Sequence, residues 1–110
     1  MSGKPVRPRE VARRDVESAI DYYIGEAGRN IALRFIAALE TAYRMIAEHP
    51  AAGSPRYAHE LALPGLCCRR VTGFPYLVFY VERDDHVDVW RVLHAKRDIP
   101  AWLQEPENRA

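Results

Sequence analysis

A chain of 110 residues, 48% hydrophobic and 28% charged, has the length of one domain and the balance of a globular one, which excludes a disordered majority. Its net charge of +1 excludes a broad nucleic-acid-binding surface, although Lys4, Arg7, Arg9, Arg13 and Arg14 stand against Glu10 alone at the start and leave room for a local basic patch. Cys67 and Cys68 are the only cysteines; as neighbours in an expected strand they point to opposite faces, so a disulfide between them would be strained. That, with no signal-peptide pattern and no apolar run long enough for a bilayer, points to a cytoplasmic protein with no membrane partner.

A short lead containing Val6 reads as an edge strand, and Pro8 suits the first turn of a helix. Ala12, Val16, Ala19, Ile20, Tyr23, Ile24 and Ala27 then recur at helical spacing. Gly25 and Gly28 loosen the end of this helix. A second periodic series, Ala32, Phe35, Ile36, Leu39, Ala42, Tyr43 and Ile46, runs until Pro50 forbids continuation. With so short a connection the two helices form an antiparallel hairpin.

Residues 49–66, rich in Pro and Gly, read as a long connection with at most one turn of helix. A strand is expected over Leu66–Thr72, then a turn at Gly73 and Pro75, and a hairpin of Tyr76–Val81 and Val87–Leu93 around Asp84 and Asp85. Leu77, Phe79 and Val81 should face one side of the sheet and Tyr76, Val78 and Tyr80 the other, so both faces need covering. The helix expected around Ile99–Leu103, with Trp102, is the natural cover for the second face; the tail after residue 104 is expected to fray.

The arginines Arg69, Arg70 and Arg91 in a small sheet admit two readings: phosphate binding, or pairing with Asp84, Asp85, Asp88 or Glu82. Because an unperturbed imidazole titrates near neutrality, His94 could serve as an acid or base, or simply end a strand as a hydrogen-bonded residue. The four histidines are scattered, so neither a metal nor another cofactor is expected. Asp15 and Asp21 read as a solvated helix face, and there is no nucleophile elbow, Walker loop or dinucleotide fingerprint. Tyr22 falls off the main apolar stripe and could anchor another protein.

Several local words together resemble those of ParE-type toxins in the RelE/ParE superfamily. They are the run Arg91 to Asp98 (RVLHAKRD), the helix start Arg14-Asp15-Val16, the connection His49 to Arg56, the entry Pro64-Gly65-Leu66 and the strand Tyr76 to Tyr80. The resemblance covers about Pro5 to about Leu103. It implies a single α+β domain over residues 1–110, ordered over about 5–104, with an N-terminal strand and antiparallel helical hairpin packed on a small antiparallel sheet and a short C-terminal helix. It implies a toxin of a type II toxin-antitoxin pair that inhibits DNA gyrase and is neutralised by a ParD-like antitoxin, forming a hetero-oligomer. The superfamily's other branch, RelE-like ribosome-dependent mRNA endonucleases, would recruit Arg69, Arg70, Tyr80 and His94; the chain departs from it by continuing into a helix where several of those nucleases have a terminal Tyr.

On this reading the chain is not an enzyme. Target binding is expected at His94, Lys96, Arg97 and Trp102, which follow a rigid strand end, and antitoxin binding at Tyr22, Tyr23, Phe35 and Leu39 and on an uncovered side of the sheet.

Overall fold

The computed structural model describes residues 3–97 and 99–103. Strand β1 (Val6–Pro8) leads into helices α1 (Glu10–Ala27) and α2 (Arg29–Glu48). The short helix α3 (Arg56–Glu60) precedes strands β2 (Leu66–Arg70), β3 (Tyr76–Glu82) and β4 (Val87–His94), and α4 (Ile99–Leu103) closes the described chain. The expected tail lies outside these residues.

One residue, Gly28, joins the two long helices, with φ of 90° in the region only glycine enters without strain. The hairpin forms because Ala32, Phe35, Leu39, Ala42 and Ile46, spaced three and four apart, are all buried along α2. α1 contributes the small buried residues Ala12 and Ala19 and the half-buried Val16, Ile20 and Tyr23. Each large aliphatic side chain removed from water here stabilises the fold by roughly 1.5–3 kcal/mol. α2 ends where the His49 N–H donates to the Met45 carbonyl and Pro50 opens a 3-10 turn.

The sheet order is β1-β4-β3-β2. β2, β3 and β4 are antiparallel as expected, but β1 adds alongside β4 in parallel, so the sheet is mixed. Pro8 accordingly ends this edge strand and α1 begins at Glu10; the Arg9 N–H still reaches the Val89 carbonyl. Val71 and Thr72, expected within the strand that starts at Leu66, fall outside β2, which ends at Arg70.

The alternation along β3 divides the core as its sequence suggests. Val78 and Tyr80 join the cluster under α1 and α2, whereas Phe79 and Val81 join a second cluster on the opposite face. That second face is closed by Ile99 and Leu103 of α4 together with Tyr57 of α3. The sheet side expected to be free for an antitoxin is therefore covered, and part of its cover is α3, which the Pro- and Gly-rich sequence concealed. Cys67 packs toward the first cluster and Cys68 lies in the second; both are free, and burial raises both thiol pKa values.

A bulge interrupts the β3–β4 ladder: Phe79 pairs with Arg91 and Tyr80 with Val89, leaving Trp90 as the extra residue. It shifts the alternation so that Val89 and Val92 both reach the first cluster and Trp90 and Leu93 the second.

Candidate functional site

β1 ends at Pro8, opposite Val89, so among the described residues the edge of β4 beyond the bulge has no neighbouring strand. α1 passes this edge instead. Asp15 accepts two bonds from the Arg91 guanidinium at 2.8 Å and a third from the Val92 N–H at 3.0 Å. The Arg91 side chain is only 2% exposed and also donates to the Trp102 carbonyl at 3.3 Å. A buried guanidinium paired in bidentate geometry ties α1, β4 and α4 together. This corrects two expectations: Arg91 does not pair with the acids of the β3–β4 turn, and Asp15 is not part of a solvated face.

Past this tie lies a cleft of about 520 Å³. One wall is α1, through Asp15, Ser18 and Tyr22; the floor is Val92, Leu93, His94 and Tyr76; the far wall is Lys96, Arg97 and Trp102. The four residues expected at the target-binding site thus meet in one place. Lys96 and Arg97 are exposed and His94 and Trp102 half-buried. The Arg97 guanidinium stacks 4.5 Å from the Trp102 ring centre and that of Arg91 lies 5.0 Å from it, so Trp102 is held by two cations. Beneath the cleft Tyr23, Phe35, Phe74 and Tyr76 form an aromatic cluster, with Tyr76 edge-on to His94 at 5.2 Å.

Partial burial, then the neighbouring charges of Lys96 and Arg97, lower the His94 pKa below 6.5. His94 is therefore largely neutral at pH 7, with Nδ1 accepting the Lys96 N–H at 3.1 Å. Because the unfolded chain takes up the proton first, His94 favours folding above pH 6.5 and that contribution is lost as pH falls through its folded-state value. An NMR titration of the ring should give a midpoint below 6.5, moving upward in Lys96→Ala/Arg97→Ala.

The nuclease candidates are not gathered in this way. Tyr80 is buried within the core and its hydroxyl donates to the Pro50 carbonyl at 2.7 Å. Burial raises its pKa to about 12, and a Cβ at Gly53 would collide with that hydroxyl. Tyr80 is a packing residue, and Tyr80→Phe should cost about 1 kcal/mol in urea denaturation while leaving the fold intact. Arg69 and Arg70 lie on β2, separated from His94 by β3. Neither Arg69 nor Arg70 takes part in an ion pair among the described residues.

The residues expected to meet an antitoxin also separate. Phe35 is fully buried, because it falls on the stripe that α2 turns to the sheet, and as folded presents no surface, which corrects that expectation; Leu39, 6% exposed, lines a pocket on the hairpin with Pro8, Val16 and Tyr43. Tyr23 is half-buried in the aromatic cluster, and Tyr22 is 57% exposed. Ile24 and Leu33, near the same end of the hairpin, are likewise exposed. The basic start of the chain is divided: Arg7, Arg13 and Arg14 are exposed, whereas Lys4 and Arg9 are held in ion pairs. Lys4 pairs with Glu82, and Arg9 grips Asp88, which also accepts from Arg83 and the Trp90 ring N–H. Burial pushes the Asp88 carboxyl upward, but these bonds outweigh it and leave its pKa lowered. Among the described residues no group of three or more His, Cys, Asp or Glu could hold a metal, and no helix is long and apolar enough to cross a membrane.

A chain of the solved structure described as "Chromosomal ParDE TA system from P. aeruginosa" is similar with a TM-score of 0.70 and 15% identity, over 83% of this chain and 95% of that one; at that identity the likeness concerns fold alone. The sequence model described as "ParE toxin of type II toxin-antitoxin system, parDE" matches residues 6–99, and the chain belongs to the ParE toxin family. The comparison with curated proteins found no match.

Proposed function

We propose that this ParE-family chain acts in the cytoplasm as a nonenzymatic inhibitor of DNA gyrase and is held inactive by a ParD-like antitoxin in a hetero-oligomer. The observation that carries the reading is the cleft: His94, Lys96, Arg97 and Trp102 converge at the end of a rigid strand, with two cations braced on one indole. Such a constellation suits binding, and Tyr80, the tyrosine a nuclease would recruit, stays protonated by burial with its hydroxyl engaged on the Pro50 carbonyl. Tyr22, Ile24 and Leu33 supply apolar surface at the hairpin end, suited to an antitoxin segment that orders as it docks.

Induced expression without an antitoxin tests the reading in cells. Filamentation and a DNA damage response, with translation continuing, are expected. An abrupt halt in translation with ribosome-dependent cleavage of mRNA, abolished by His94→Ala, would instead assign the chain to RelE-like nuclease chemistry.

A further inference from the structure

The end of β4 carries an open strand edge inside the cleft. Tyr76 and His94 are partners across the ladder, and the Ala95 N–H donates to the Pro75 carbonyl at 2.8 Å. That bond makes Tyr76–His94 a non-hydrogen-bonded pair, so the main-chain groups of Val92 and His94 point away from β3, toward the side that β1 leaves vacant. Two of these groups are already engaged: Asp15 takes the Val92 N–H, and the His94 carbonyl accepts the Arg97 N–H at 3.0 Å. The Val92 carbonyl and the His94 N–H have no partner among the described residues and face the cleft, spaced to receive the N–H and C=O of a single extended residue. Around them the cleft is apolar at Val92 and Ala19, and positive on its far wall at Lys96 and Arg97. Among the described residues lining it, the one carboxylate is Asp15, already bound twice by Arg91.

From this juxtaposition we infer that the β4 edge takes an extended acidic segment of a partner protein as a short added strand, through Val92 and His94, with its carboxylates on Lys96 and Arg97. The inference rests on the reading of this cleft as a contact site, and it supplies the partner's chemistry and mode of docking. Asp15 sets one limit of the added strand, because its carboxylate occupies the place where a further partner carbonyl would meet Val92. The turn at Ala95 and Lys96 sets the other.

The test is an NMR titration of the isotope-labelled chain with a capped synthetic hexapeptide, Val-Thr-Val-Asp-Glu-Asp. The amide signals of Val92 and His94 should shift, and the His94 N–H should exchange more slowly with solvent. A peptide N-methylated at its central residues should bind at least tenfold more weakly to the unmodified chain, and Lys96→Ala/Arg97→Ala should lose roughly tenfold with spectra otherwise preserved. Equal binding of the methylated peptide, or of a neutral Asn and Gln version, would overturn strand addition or charge recognition respectively. Binding of a thymidine oligonucleotide at these amides in place of the peptide would overturn the inference and make the cleft a nucleic-acid site. Peptide binding by a chain that leaves gyrase unaffected would sustain the inference while the proposed target fails; gyrase inhibition through the cleft without peptide binding would do the reverse.

Discussion

Asp15→Ala should destabilise the chain by about 3–5 kcal/mol, a large part of what a domain this size possesses. Arg91 would be left with its guanidinium enclosed and deprived of the carboxylate that meets it twice, and the Val92 N–H would lose its acceptor. The loss should be read by urea denaturation followed by circular dichroism. Asp15→Asn keeps an acceptor oxygen and should lose less. Asp15→Leu combined with Arg91→Met should recover much of the stability, because it removes the buried charge along with the carboxylate that neutralised it. If Asp15→Ala unfolds at the same urea concentration as the parent chain, the tie between α1, β4 and α4 is not what holds the cleft together.

Lys96→Ala/Arg97→Ala should reduce toxicity in cells by about tenfold or more while costing only about 1 kcal/mol of stability. Both side chains are exposed, and the stabilising interaction that the double variant removes is the stacking of Arg97 on Trp102. This variant is a cleaner probe than Trp102→Ala, since the Trp102 ring packs against the second core cluster and lies over Arg91. Colony survival on induction, with matched soluble yield and thermal melting, separates weakened binding from failed folding. Full toxicity in the folded double variant would remove Lys96 and Arg97 from the site.

Much of the fold was legible because it follows local rules. The spacing of Phe35, Leu39 and Ile46, the stop at Pro50 and the alternation from Tyr76 to Val81 each specify an element by period and punctuation. The strand-end cluster of His94, Lys96, Arg97 and Trp102 was legible for a similar reason: polar residues crowd directly after an apolar strand. What escaped depends on contacts distant in the chain. Asp15 and Arg91 are 76 residues apart, and although Arg14-Asp15-Val16 carries part of the family resemblance, neither helical spacing nor local charge marks Asp15 as the partner of Arg91. The parallel pairing of β1 and the extra residue at Trp90 are likewise properties of register, which periodicity does not encode. Phe35 was assigned to a partner surface because an apolar stripe carries no mark of which neighbour covers it.

The most direct test of the central claim is a supercoiling assay with purified gyrase, relaxed plasmid and ATP, run with the parent chain and with Lys96→Ala/Arg97→Ala. The parent chain should block supercoiling and trap cleaved DNA on the enzyme, the folded double variant should need about tenfold more protein for the same effect, and a stoichiometric ParD-like antitoxin should restore activity. Undiminished supercoiling at saturating parent chain would contradict it.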